Sequence, residues 1–541
     1  MPLVSLADLA HAGRNAYDRF QLDDDVDTLT QAIGCLRIVN DHAQLPYVLA
    51  DLGVYLHDRY GLTGNPSDLD EAIIFESECL TKIDPDHSSR PRILNNLGQF
   101  YNSRFESTLA PSDLREAIAQ THLAVMEAVK HDDESAPRFL DFLLELVATQ
   151  TSYYAIEDDS AEAFDKIEEF LNVGRTITKA RHYDQIANLY YNKSEITSQL
   201  PELLKAISHA ESALHATVDD TTYRAIRLTN LANYQLTLYE NTSQGDILRD
   251  AIQNTREAVK LASDGTNNAL VENMALASAL HHNYHWSGQV DDLHEAIEIG
   301  FQVVTATAPQ DTDWLNGMQN LSLFVRTGFK ADGAIEDLIV VIDLLQQAMN
   351  NESLPHEAQG RSAAMALDLL EVKYEATRSD QDFALAMNAY STAIHHQSEE
   401  HGIPDAIWKR QSRATATMST LFRRRFERSK DPQDIDTSVV LARRIPSVEN
   451  SLNVSDCTSA LALALWTDFR VRGGMEKLDE AVDLAKSIVQ RQPPRGADYL
   501  GSLNNLSGIC QTRYDATGNE ADLRTCIDSA LEGLSQGWQK N

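Results

Sequence analysis

One short phrase recurs along the chain at nearly regular intervals. It is clearest as DLDEAI at 68–73, DLREAI at 113–118 and DLHEAI at 292–297. Weaker copies begin at Leu29, Ala163, Leu203, Leu248, Ile335, Phe383, Ile435, Leu478 and Leu523. The shortest interval is 40 residues, as from Leu29 to Leu69, and the longest, from Phe383 to Ile435, is 52. A period of this length is typical of chains that stack copies of one supersecondary unit.

Apolar residues on both sides of a turn indicate that the unit is a pair of helices. Leu94, Leu97, Tyr101 and Phe105 follow the spacing of one face of an α-helix, which we call helix A. The recurring phrase then opens a second amphipathic helix, helix B, through Pro-Ser-Asp at 111–113, where Ser or Asp suits the cap and Pro suits the first turn. Because a lone pair cannot bury its apolar face, successive antiparallel pairs must stack.

The sequence therefore predicts an all-α fold, an α-solenoid of about twelve antiparallel helix pairs. A chain of 541 residues exceeds what one globular core usually holds, but a stacked array extends its core in one dimension. We expect a single array over 1–541. Its repeats are predicted at approximately 5–45, 46–89, 90–135, 136–180, 181–221, 222–266, 267–311, 312–356, 357–402, 403–451, 452–496 and 497–541.

The repeat resembles the tetratricopeptide (TPR) repeat, with intervals longer than its usual unit of about 34 residues. The segment LNNLG at 94–98, RFE at 104–106 and SDLREAI at 112–118 most resembles the long repeats of fungal proteins in which such an array precedes a caspase-like CHAT peptidase domain. The match is strong near 46–130, 222–305 and 473–530, and weak at 135–180 and 380–450. The resemblance implies a right-handed superhelix whose A helices line a concave groove. No strand-rich peptidase segment follows the array before Asn541, so we expect the CHAT domain to be missing.

Charge narrows the class of partner. The chain has 46 Lys and Arg against 81 Asp and Glu, a formal charge of −35, which disfavours nucleic acid and anionic membranes. We therefore expect a neutral to basic protein or peptide as partner, with no nucleic acid and no membrane. The window 401–450 is the exception, because it contains ten Lys or Arg. We interpret its cluster, which is Arg423, Arg424, Arg425, Arg428 and Lys430, as a solvated helix end.

Candidate catalytic and metal-binding residues are few. Cys510 lies in a small-residue segment that superficially resembles the nucleophile segment of CHAT peptidases, but it falls inside a predicted helix A, so we interpret it as a buried structural thiol. His281 and His285, one helical turn apart, lack a third ligand and the HExxH pattern. We predict no enzymatic activity, no metal and no cofactor.

The sequence shows neither a targeting signal nor a closely spaced cysteine pair. The five cysteines form no CxxC pair, the first twenty residues have no continuous apolar segment, and no stretch is long and apolar enough to span a membrane. We expect a reducing compartment and a cytoplasmic location.

The most suggestive polar feature is an Asn directly before the helix A Leu. An amide both donates and accepts, so a ladder of such residues can bind the backbone of an extended ligand, or it can hold neighbouring helices together. The sequence favours neither alternative. The candidate groove residues are Asn95, Asn96, Gln99, Asn102, Asn188, Asn230, Asn320, Asn504 and Asn505.

These observations favour a non-enzymatic scaffold or adaptor that binds a peptide or a partner domain in its groove. Two alternatives stay open. One is a regulatory sensor array that acts on a CHAT-type or other effector supplied in trans. The other is a cysteine-dependent hydrolase centred on Cys510.

Overall fold

A computed structural model describes residues 5–153, 158–173, 179–197, 199–217, 221–262, 267–394, 405–444, 454–491 and 497–538. Within these ranges the regular structure is helical. The helices are α1 (Leu6–Asp23), α2 (Val26–Ala43), α3 (Pro46–Thr63), α4 (Pro66–Lys82), α5 (Arg90–Thr108), α6 (Pro111–Lys130), α7 (Ala136–Tyr153), α8 (Asp158–Val173), α9 (Ala180–Thr197), α10 (Leu200–His215), α11 (Thr221–Thr242), α12 (Gly245–Leu261), α13 (Asn267–Ser287), α14 (Val290–Ala306), α15 (Thr312–Asp332), α16 (Ile335–Met349), α17 (His356–Thr377), α18 (Asp380–Ile394), α19 (Asp405–Ser429), α20 (Pro432–Arg443), α21 (Val454–Arg472), α22 (Met475–Arg491), α23 (Ala497–Thr517) and α24 (Glu520–Trp538).

Odd-numbered helices are A helices and even-numbered helices are B helices, in consecutive antiparallel pairs. The predicted fold class, an all-α solenoid of helix pairs, is therefore confirmed. The chain forms two compact units, Met1–Ala275 and Leu276–Asn541. The repeat boundaries and the single array stay predictions. In the described residues, no helix combines the length and the apolar character needed to cross a membrane.

In the described turns, the residue that ends a helix A commonly has a positive φ. Gly64, which follows α3, has φ 67°, and Gly333, which follows α15, has φ 78°. The amide of each of these glycines donates to a carbonyl four residues earlier and so ends helix A. Pro66 and Pro111 then stand at the first position of α4 and α6, where no backbone donor is lost.

Small residues let the helices of each unit approach closely. The alanine of the recurring phrase is fully buried in eight B helices, where a larger side chain would push the helix away from its neighbours. These residues are Ala32, Ala72, Ala117, Ala206, Ala251, Ala296, Ala386 and Ala481. Around them the core is built from the apolar faces of both helix types, such as Leu114, Leu140 and Tyr190 in the first unit.

An ion pair nine residues apart joins the end of helix A to the third residue of helix B. Arg104 of α5 donates to both carboxylate oxygens of Asp113 in α6, at 2.7 and 3.0 Å, and Arg513 of α23 does the same with Asp522 in α24. The same pairing joins Arg59 to Asp68, Lys193 to Glu202, Lys373 to Asp382 and Arg425 to Asp434. A carboxylate at this position also favours the positive end of the helix dipole. We call this contact the A–B ion pair.

A second recurring contact joins each of four A helices to the next A helix, between residues 46 positions apart. His57 and Ser103 are 2.9 Å apart, and Trp466 donates to Thr512 at 2.9 Å. The pairs Tyr191 with Thr237 and His281 with Thr327 repeat the arrangement. The aromatic ring also packs on the next helix, as His57 does on Phe100, with ring centroids 4.7 Å apart. These contacts set the distance between neighbouring A helices.

Candidate functional site

The second unit contains an open cavity between three successive A helices. Its volume is about 400 Å³, and α15, α17 and α19 form its walls. It is lined by Gln319, Asn320, Ser322, Leu323, Arg326, Glu357, Arg361, Ala364, Met365, Asp368, Leu369, Arg410, Arg413 and Ala414. Four arginines thus line the cavity with two carboxylates, which leaves a local positive excess in a strongly acidic chain.

Arg410 is the most deeply placed of these charges. Its side chain is only 7% exposed, and its Nη1 donates to Glu357 at 2.6 Å. Its Nε and Nη2 are buried and have no acceptor in the described part of the chain. The guanidinium lies over Gly360, where a Cβ would be 3.1 Å from Cζ and from Nη2. A glycine at this position therefore makes room for a buried guanidinium whose donors are only partly satisfied.

The other arginines extend the positive charge over the three walls. Arg413 pairs with Asp368 at 2.9 Å, and Thr417 donates to the same carboxylate. Arg361 is 3.4 Å from the amide oxygens of Asn316 and Gln319, a long contact. Arg326 contributes a buried Nε without an acceptor among the described residues.

Next to the cavity, acids and bases of the same helices form a network in which Glu371 and Arg424 are half-buried and Glu375 and Lys330 are exposed. Arg424 contacts Glu371 at 3.5 Å and Glu375 at 2.5 Å. Burial raises the pKa of Glu371, although Arg424 opposes the shift. Burial and then the charge of Arg326 lower the pKa of Lys330. Both shifts reflect partial removal of these charged groups from water where they lie against the helices.

The interpretation of the basic cluster as a solvated helix end is wrong for Arg423 and Arg424, whereas Arg428 and Lys430 are exposed at the end of α19. The side chains of Arg423 and Arg424 are 15% and 19% exposed. Arg425 forms the A–B ion pair with Asp434, and Arg428 pairs with Asp380. Residue spacing alone does not show that α19 packs beside α17, which supplies the carboxylates that hold Arg424 inside the protein.

The candidate groove residues are distributed over five helices of both units. Asn96, Gln99, Asn102, Asn230, Asn320 and Asn505 are half-buried, Asn95 is buried, and Asn188 and Asn504 are exposed. Of these nine, Asn320 lines the arginine cavity. Lys193 and Arg104 occupy equivalent positions, because each forms the A–B ion pair of its repeat. Asn188 precedes Lys193 by five residues, whereas Asn96 precedes Arg104 by eight. Asn188 is therefore three residues out of register with Asn96.

Asn96 makes a contact within the fold. Its Nδ2 donates to Oε1 of Glu76 at 3.0 Å, and Glu76 belongs to helix B of the preceding pair. Burial raises the pKa of Glu76 to about 8, while the Asn96 hydrogen bond opposes the shift. This contact is the one expected of an amide that holds neighbouring helices. A ligand role for the other candidates stays a prediction.

The residue twenty positions earlier distinguishes the asparagines. Asn96 has Glu76 there, whereas Asn320 has Gly300, Asn230 has Ala210 and Asn505 has Ala485. Glycine and alanine have no side-chain acceptor. Sequence reasoning missed this signal, since it appears only once the helix pairs are aligned by their contacts.

Two of the candidate catalytic residues, Cys510 and His281, are buried and contact other residues of the fold. Cys510 is fully buried in the core of the second unit, and burial raises the pKa of its thiol, which disfavours a thiolate nucleophile. His281 Nε2 is 3.0 Å from Thr327 Oγ1 and 3.3 Å from His285 Nε2. Burial, followed by the two neighbouring histidines, lowers the pKa of His281 to about 3. Among the described residues, no three His, Cys, Asp or Glu side chains are grouped so that they could hold a metal ion.

No protein-family model matches the chain, and no curated protein is similar to it. Solved structures with a related arrangement include yeast Tom70, which is 13% identical and covers 95% of this chain and 97% of its own, with a TM-score of 0.34. The apo form of the quorum sensor NprR from B. thuringiensis is 12% identical, with coverages of 72% and 97% and a TM-score of 0.39. The TPR domain of P58(IPK) is 12% identical, with coverages of 87% and 99% and a TM-score of 0.25.

These low TM-scores and identities carry no argument about ligands or partners. The resemblance to the arrays of fungal CHAT proteins stays a prediction. The structure itself establishes an all-α solenoid in which three successive A helices enclose an arginine-lined cavity.

Proposed function

We propose that the chain is a binding protein without catalytic activity, and that it holds a peptide segment of a partner protein against its A helices. The observation that carries this proposal is the open cavity between α15, α17 and α19. Open clefts between helices are common positions for ligand sites. Here the walls come from three different helix pairs, so one extended ligand can contact several repeats.

The chemistry of the cavity suits a peptide. Gln319 and Asn320 offer amide donors and acceptors for a peptide backbone, and Leu323 offers an apolar surface. The acidic surface outside the cavity favours encounter with neutral or basic partners over nucleic acid or anionic membranes. A cytoplasmic location suits such a protein.

Leu323 provides a test that does not depend on knowing the partner. Its side chain is 48% exposed at the cavity, so Leu323→Glu blocks the site with little effect on the core. We expect peptides selected from a random library by the wild-type chain to bind this variant at least about tenfold more weakly, the effect of about 1.4 kcal/mol.

The matched control is Val340→Glu on α16. Val340 is 47% exposed and belongs to a B helix of the same unit. The control is expected to bind the selected peptides like the wild type, as measured by fluorescence anisotropy. Equal binding by both variants, or equal loss in both, would place the ligand elsewhere and contradict the proposal.

A further inference from the structure

We infer that the arginine cavity receives a phosphorylated side chain, carried by an otherwise neutral or basic peptide. This inference rests on the proposed function, because it names the ligand chemistry of the same cavity. The first argument is the state of Arg410. Its side chain is more than nine-tenths buried, yet its Nε and Nη2 have no acceptor in the described residues. A buried guanidinium with unsatisfied N–H groups is unfavourable unless an anion satisfies it.

The second argument is that this placement is built into the backbone. The guanidinium occupies the space that a Cβ of residue 360 would need, and Gly360 leaves that space open. Glu357 accepts a hydrogen bond from Nη1 of Arg410 only, so the edge formed by Nε and Nη2 has no acceptor among the described residues. That edge, Nε with Nη2, is the one that presents two parallel donors to the oxygens of a carboxylate or phosphate.

The third argument is charge. Four arginines line the cavity against Glu357 and Asp368, so the walls carry two positive charges in excess. A phosphate monoester carries about two negative charges at neutral pH and has three acceptor oxygens, whereas a carboxylate carries one charge. Arg326, whose Nε also has no acceptor in the described residues, adds a donor from a second wall. The charge balance therefore favours a phosphate over a carboxylate.

The net charge of the chain favours one carrier of the phosphate. The chain has a formal charge of −35, so a polyanion such as RNA is repelled at long range. A peptide with one phosphorylated residue and basic neighbours is attracted by the acidic chain and places its only anionic group among the arginines. The charges of such a ligand complement both the chain and the cavity.

The experiment measures binding of four labelled probes to the full chain. The probes are a pool of short Lys- and Arg-containing peptides with one phosphoserine, the same pool with serine, the same pool with glutamate, and a single-stranded RNA. We expect the phosphoserine pool to bind at least about tenfold more tightly than the serine pool, with glutamate between them. No preference for phosphoserine would overturn the inference, as would RNA binding that depends on Arg410.

Variants identify the cavity as the site. Arg410→Gln is expected to remove the preference for phosphoserine. The control Arg443→Gln, which breaks an exposed pair between Arg443 of α20 and Glu480 of α22, leaves the preference unchanged. Glu357→Gln keeps the shape of the side chain and releases Arg410, so phosphoserine binding becomes tighter. This second variant decides the matter if Arg410→Gln does not fold. Weaker phosphoserine binding by Glu357→Gln would contradict the inference.

The probes also separate this inference from the proposed function. If the serine pool binds as well as the phosphoserine pool, and Leu323→Glu removes binding of both, the peptide-binding function stands and the phosphate inference fails. If none of the peptide pools binds, both fail.

Discussion

The same position of helix A serves different purposes in the two units. In the first unit, the half-buried Asn96 donates to the buried Glu76, so this polar pair joins helix A to the preceding helix B. In the second unit, Asn320 has Gly300 at the corresponding place and lines an open cavity. The comparison teaches that a recurring polar residue in a solenoid is bonded within the fold where the preceding helix B offers it an acceptor, and can line a cavity where that helix offers none.

The A–B ion pair is common to both units, and breaking it should have the largest effect. Asp113 and Asp434 are buried, and each accepts from an arginine nine residues earlier. We expect Asp113→Ala and Asp434→Ala each to lower the free energy of unfolding by about 3 kcal/mol, because the arginine loses its buried carboxylate partner and helix B loses its N-terminal carboxylate, while Arg104 keeps its exposed contact with Asp70.

Urea denaturation followed by circular dichroism measures this loss. Exposed pairs contribute little, so Arg443→Gln serves as the control and should change stability by less than about 1 kcal/mol. A loss in only one of the two aspartate variants would show that the ion pair is not equivalent in the two units.

The contrast between Asn96 and Asn320 predicts a smaller effect on stability, which should differ between the two alanine variants. Asn96→Ala leaves the buried Glu76 without its donor and should cost about 1 to 2 kcal/mol of folding free energy. Asn320→Ala removes a half-buried amide at the cavity and should change stability by less than about 0.5 kcal/mol. The same denaturation measurement compares them, and an equal loss in both variants would remove the distinction between the two regions.

The dependence of folding stability on pH tests whether the Glu76 carboxyl is protonated in its contact with Asn96. Its pKa is raised to about 8, so the folded chain keeps a proton that the unfolded chain, with a carboxyl near 4.5, has already lost. The stabilisation is therefore complete below pH 4.5 and is lost as pH rises through 8. Glu76→Gln cannot ionise, so its stability relative to the wild type should rise across this window by up to about 1 kcal/mol per pH unit.

Stability curves in urea at several pH values between these limits measure the difference. The companion variant Glu78→Gln, also on α4, removes a carboxylate that pairs with Lys82 at the surface and provides the control. A stability difference between Glu76→Gln and the wild type that does not change with pH would show that Glu76 is ionised in the folded chain.

Much of the fold could be predicted because the repeat depends on residues that are close together in the sequence. The apolar stripes of Leu94, Leu97 and Phe105 lie in the core as expected, and Ala117 is buried at the crossing of the helices. The eight fully buried alanines show that this position of the recurring phrase reflects a packing requirement. Caps and turns, such as Gly64 and Pro66, depend on residues adjacent in sequence and were predictable for the same reason.

The site was predicted less well, because it depends on residues that meet only across repeats. Asn320 was anticipated as a groove residue, but Arg410 and Gly360 were not, since nothing local relates two residues fifty positions apart. The interpretation of Arg424 and Arg425 as solvated was wrong, because their carboxylate partners lie on the preceding A helix and the following B helix.

The sequence by itself determined that this chain is a stack of helix pairs, because amphipathic periodicity and turn residues act over a few positions and repeat every 40 to 52. Only the tertiary structure decided which polar side chains are hydrogen-bonded to a neighbouring repeat and which line a cavity. The physical reason is that the cost of burying a polar group depends on whether a neighbouring repeat supplies its partner, as Glu76 does for Asn96 and as no described residue does for Nε of Arg410.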